Sequence, residues 1–177
     1  MCKGNMMQIS VEGFSKKKTD ELVEAVQFFA KQLMHGKMVN NLTIDIEKCH
    51  RLDVMGECIN EDDTKNPRWF TINLRDSKDD EDIVKTLAHE MVHVKQYAKN
   101  ELAKADQWVQ YATARGKHRK KCVIKSVWMG EIWKPSTKEN EYWDCPWEIE
   151  AYGREVGLYH KWVKRCNAQR SKRKSIY

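Results

Sequence analysis

The sequence predicts an α+β fold, with a small mixed sheet of about four strands packed against a long helix and a second helix nearer the C-terminus. Three observations carry this. Apolar residues alternate with polar ones through residues 41–48 and extended, β-prone residues return at 68–75; Leu22, Val26, Phe29 and Leu33 recur at helical spacing; and a capped, acid-led helical run begins at residue 79.

Taken in order, MQISVEG (7–13) reads as a first strand. A helix through residues 20–36 follows, with Ser15 or Thr19 as its N-cap and Gly36 as its C-cap. Residues 41–48 place Leu42, Ile44 and Ile46 on one side of a second strand, and 51–60 and 68–75 supply two more, in a mixed or largely antiparallel sheet. Ser77 or Asp79 caps the next helix, and Asp79, Asp80, Glu81 and Asp82 put negative charge at the positive end of its dipole. Residues 101–115 read as helical, and 120–135 as a hairpin or edge strand around Gly130. From Pro146 a last helix sets Ile149, Tyr152, Val156, Tyr159 and Val163 approximately along one side. The expected organisation is one domain over 1–168 with a basic tail at 169–177.

Composition narrows the class. With 41% apolar and 33% charged residues the chain is a soluble globular one rather than disordered or fibrous, and no apolar run is long enough for an ordinary transmembrane helix. The opening MCKGNMMQIS lacks the apolar region of a secretory signal, so a cytoplasmic location is expected. Six cysteines without a C-x-x-C pair are then expected to be reduced thiols. Charge is uneven: residues 1–93 carry 13 basic and 17 acidic side chains, and 94–177 carry 19 and 9. The basic excess at 114–125 and 169–174 is compatible with a nucleic-acid partner.

The chemistry concentrates in KTLAHEMVHVKQYAK (85–99). On a helix, His89 and His93 sit one turn apart on one face, so both imidazoles can hold one zinc ion. Glu90 lies about 100° round the axis, near enough to take a proton from a zinc-activated water without being a ligand. Tetrahedral zinc then needs a third protein ligand. In PWEIEAYGRE, Glu150 is preferred, because small Ala151 lets its helix approach closely. Glu148 would point nearly the opposite way, and only one of the two can bind. His118, His160 and Cys145 are weaker candidates. Tyr142, Tyr152 and Tyr159 are candidate oxyanion donors, and an edge strand near 69–75 or 127–133 is expected to hold an extended peptide.

AHEMVHVKQ (88–96) and PWEIEA (146–151), in this order of strands and helices, resemble the gluzincin class of zinc metallopeptidases. The likeness is to the small SprT-like and minimal-gluzincin domains and to phage HExxH proteins, and it covers roughly residues 7–165. It implies a zincin-like fold, a zinc-dependent peptidase acting on peptides or proteins, Glu150 as third ligand and Glu90 as general base. The acidic residue that in some gluzincins orients a ligand histidine is Arg154 here, so Glu155 or a backbone carbonyl is expected in that role. The chain lacks the cysteine zinc ribbon that SprT-like proteins often carry. Two alternatives stand beside the peptidase: a nucleic-acid-associated protein acting on DNA-bound proteins, and a non-catalytic module that zinc stabilises.

Overall fold

The computed structural model describes residues 6–62, 64–77, 79–112, 118–134 and 142–174. Among these residues it is an α+β fold of four helices and two sheets. The larger sheet contains β1 (Gln8–Glu12), β2 (Thr43–Cys49), β3 (Gly56–Asn60) and β4 (Trp69–Arg75) in the order β1-β2-β4-β3. Strands β1, β2 and β4 are parallel, and only β3 runs antiparallel, so the sheet is mixed but not largely antiparallel. One-sided alternation usually accompanies antiparallel pairing. Here Ile44, Ile46, Phe70, Ile72 and Leu74 are buried, while Glu47 and Trp69 lie exposed on the other face.

Helix α1 (Lys16–Leu33) starts at Ser15, whose Oγ accepts from the Lys18 N–H, and buries Leu22, Val26, Phe29 and Leu33. It stops sooner than expected: Met34 is extended, and Gly36 opens the short α2 (Gly36–Val39) instead of capping α1. Helix α3 (Asp80–Ala98) begins at Asp79, whose carboxylate accepts from the Glu81 N–H. From Ile83 onward it is buried against the sheet and α1 on one side and α4 (Pro146–Lys174) on the other. Its polar residues His89, Glu90, His93, Lys95 and Gln96 are therefore taken out of water and must find partners.

Two expectations fail in the second half. Residues 101–112 are not helical: Asn100, at φ 56°, turns the chain out of α3, and β5 (Leu102–Ala112) follows; residues 113–115 lie outside the described residues. It pairs antiparallel along its whole length with β6 (His118–Trp128). Met129 and Gly130, both with positive φ, form the two-residue turn to β7 (Glu131–Ile132), the hairpin expected around Gly130. The second correction concerns α4. Ile149, Tyr152 and Val156 lie exposed, and the buried face is Glu148, Ala151, Leu158 and Trp162. Trp162 packs on Phe28 and Phe29 with ring centroids 5.7 and 6.2 Å away. The helix also runs on through Lys174, so the segment assigned to a tail starts inside α4; residues 175–177 are outside the described set. Among the described residues no helix is long and apolar enough to cross a membrane.

Candidate metal centre

Helix α3 brings His89 and His93 onto the face that meets α4, and α4 answers with Glu148 from its first turn. The two Nε2 atoms are 3.2 Å apart, and the Glu148 oxygens lie 3.4 Å from His89 Nε2 and 3.6 Å from His93 Nε2. Ligands about 2.0–2.2 Å from a tetrahedral zinc are separated by about 3.3–3.6 Å. Each imidazole meets a different Glu148 oxygen, and one donor atom from each of the three residues lies within 4.8 Å of the others, close enough to share one ion.

The outer ring nitrogens determine what the inner ones offer. Gln96 Nε2 donates to the Trp147 carbonyl at 2.9 Å and to Glu150 at 3.1 Å. Its Oε1 is thus the atom facing His93 Nδ1, 2.8 Å away, and accepts from that N–H. His89 Nδ1 lies 2.9 Å from Glu155 Oε2 and donates to it, the orienting role expected of Glu155. Both Nε2 lone pairs then point, with the Glu148 carboxylate, at one position. Two neutral imidazoles and one carboxylate are donor types that zinc takes.

Electrostatics agree with a site built for a cation. At Glu148 burial opposes the ionised form, but in the metal-free protein His89 and His93, when protonated, together with the Tyr142 hydroxyl outweigh it and hold the carboxyl down at about 2. Burial also disfavours a charged His89, yet Glu148, Glu90 and Glu155 raise its pKa above the ordinary value. Glu90 behaves oppositely. It is 4% exposed, and desolvation outweighs the pull of His93 and His89, lifting it to about 7.

Glu150, the expected third ligand, is not brought to the histidines. Its carboxylate meets Lys95 Nζ at 2.6 Å and Arg154 Nε at 2.8 Å as well as Gln96, so it stands behind His93 rather than beside the Nε2 atoms. The carboxylate grouped with the two histidines is that of Glu148. Of the weaker candidates, His160 is exposed and stacks near Tyr159, Cys145 is buried outside the group, and the side chain of His118 is outside the described set.

Two hollows that share lining residues flank the centre. One, of about 500 Å³, is lined by Val54, Met55, Gly56, Tyr142, Trp143 and Tyr152, and the other, of about 250 Å³, by Glu57, Cys58, Tyr97 and Trp147; His89 and Glu90 border both. Tyr142 donates to Glu148 at 3.0 Å, and the Tyr152 ring lies 4.6 Å from that of His89. Tyr159 instead lies under Lys85, away from the centre. The strand beside the cleft is β3, an edge of its sheet; residues 69–75 form β4, which is interior and cannot add a strand. Two residues here were not singled out from the sequence. Gln96 was hidden inside the helical pattern. Gly56 lies against Glu90, where a Cβ would come within 2.5 Å of Thr86 Cγ2 and 2.9 Å of Glu90 Oε1.

Comparison with protein-family models, with characterised proteins and with solved structures finds no match to this chain.

Proposed function

We propose that the chain is a zinc-dependent hydrolase of peptide bonds, in which His89, His93 and Glu148 hold the metal and Glu90 is the general base. The observation that carries this reading is the grouping of two anchored imidazoles and a carboxylate close enough to share one ion, with a buried acid of raised pKa alongside. Bound there, zinc would supply Lewis-acid polarisation of a carbonyl and a lowered pKa for water.

The remaining chemistry belongs to the chain. With a pKa of about 7, Glu90 is ionised in part at neutral pH and can accept the proton of the attacking water as its oxygen bonds to the carbonyl carbon. It then returns the proton to the leaving nitrogen as the C–N bond breaks, yielding a carboxylic acid and an amine. The Tyr142 hydroxyl, at the cleft and already a donor to Glu148, is placed to turn to the developing oxyanion. The edge of β3 offers backbone groups to an extended peptide. Glu155 and Gln96 keep the imidazoles from rotating.

Zinc analysis of purified variants, paired with a peptide-hydrolysis assay, tests the reading. Glu148→Ala should lose bound zinc and Glu150→Ala should retain it. Glu90→Gln should keep zinc and lose turnover by about two to four orders of magnitude. Zinc retained by Glu148→Ala would remove the ligand assignment, and zinc-loaded wild type without hydrolysis would make the centre a structural one.

A further inference from the structure

The β5–β6 ribbon is the part of the molecule that the centre does not use. Leu102 and Trp128 anchor its base, the latter 6.3 Å from the Trp147 ring; past Leu102 none of its described residues is buried. Over residues 102–112 and 118–128 it carries Lys104, Arg119, Lys120, Lys121 and Lys125 against a single acid, Asp106. That acid is hydrogen-bonded to the Cys122 thiol.

Register sorts these side chains. Residues directly opposite in an antiparallel pair share a face. Lys104, Trp108, Lys120 and Ile124 therefore lie on one face, through the pairs Lys104↔Ser126, Asp106↔Ile124, Trp108↔Cys122 and Gln110↔Lys120. Arg119, Lys121 and Lys125 lie on the other. Trp108 is 70% exposed and Ile124 69% exposed, an unusual placement for a ring that ordinarily gains by burial.

We propose that this ribbon is a docking surface for single-stranded nucleic acid, with Trp108 stacking on a base, and Lys104 and Lys120 on the same face and Arg119, Lys121 and Lys125 on the opposite face neutralising phosphates along the strand. Cationic side chains interleaved with an exposed aromatic ring match a polyanion with flat apolar faces, which an acidic polypeptide lacks. A single strand leaves base faces open to an indole, whereas a duplex stacks them on each other. The proposal is independent of the zinc reading, because none of these side chains touches the donor set.

The test is fluorescence anisotropy with a labelled oligothymidylate long enough to span the ribbon, over a salt series. Wild type should bind, with log K falling against log salt at a slope of about −3.5 if all five cations meet phosphates. Trp108→Ala should weaken binding about five- to hundredfold without changing the slope, and Trp108→Phe should recover most of the loss. Lys120→Ala combined with Lys121→Ala should flatten the slope by about 1.4. Glu90→Gln should bind as wild type does. The proposal is overturned by absence of binding at low salt, by equal or tighter binding of a duplex, by polyglutamate competing as well as the oligonucleotide, or by unchanged affinity in Trp108→Ala.

Discussion

The side-chain amide of Gln96 links His93 to Glu150: Oε1 accepts from His93 Nδ1 at 2.8 Å while Nε2 donates to Glu150 at 3.1 Å. Glu150 is itself clamped by Lys95 and Arg154, so a carboxylate one residue removed from the histidine sets which way its ring faces. Gln96→Leu should therefore weaken zinc affinity about 10- to 100-fold while His89 and Glu148 remain in place. Competition with a chelator measures the affinity. Nitrogen NMR of His93 should show the proton leaving Nδ1 for a mixture of tautomers, and a ring still protonated only at Nδ1 would show that Gln96 does not hold it.

Gly56 is required by crowding rather than by its backbone angle. In Gly56→Ala the new methyl meets Thr86 Cγ2 and Glu90, and overpacking of this kind costs about 1–3 kcal/mol. Activity should fall with stability because Glu90 is displaced. Thr86→Ser, which removes the closest atom, should restore much of the thermal midpoint in the double variant. Additive losses in that pair would contradict the contact.

The acid–base groups give the metal-free protein a definite pH response. The raised pKa of His89 contributes stability that is complete below its ordinary value of 6.5 and is lost as pH rises through the folded value. Glu90, raised from 4.5 to about 7, likewise contributes most below 4.5 and loses its contribution as pH rises through 7. Glu148, depressed to about 2, contributes above 4.5 and loses it as pH falls toward 2. Zinc-free protein should thus melt at a lower temperature at pH 8 than at pH 6. The rise in Tm on adding zinc should grow over the same interval, since the metal competes with the proton on His89. Calorimetry at the two pH values, with chelator and with zinc, decides it; an apoprotein Tm that climbs from pH 6 to 8 would exclude these groups as the source.

The two sides of α4 should respond very differently to substitution. Trp162→Ala removes a ring buried against Phe28 and Phe29 and should cost about 3–5 kcal/mol. Ile149→Ser, at a position 60% exposed, should stay within about 0.5 kcal/mol of wild type. Urea unfolding distinguishes them, and comparable losses at both would put the wrong face of the helix inward.

The same helix shows what could be read in the sequence and what could not. His89, Glu90 and His93 were legible because their spacing alone places them, and the core of α1 because its apolar stripe is also its buried stripe. In α4 the stripe misleads. Its inward face spends two positions on Glu148 and Glu155, so the apolar period in the first turns is the solvent side, Ile149, Tyr152 and Val156. The preference for Glu150 rests on the small Ala151 beside it; Ala151 does face inward, but the carboxylate that shares its face is Glu148, three residues before it. The β5–β6 ribbon was hidden for a related reason: none of its described residues past Leu102 is buried to mark a core face, and Ala103, Lys104, Ala105 and Gln107 favour a helix locally until β6 pairs with them. The parallel order of β1, β2 and β4 depends on connections too long for local pattern to report.

The position of the ribbon in the chain has a topological consequence. His93 and Glu148 stand about 55 positions apart, and everything from β5 to β7 lies between them. An ion gripped by both would act as a covalent-like cross-link closing that loop, and a bridge across a loop of this length restricts the unfolded chain by about 4 kcal/mol. Because closure entropy grows only logarithmically, doubling the intervening segment would cost about 0.6 kcal/mol more. The arm can therefore lengthen, shorten or change its surface over generations while the two ends that define the centre stay tied at the same knot.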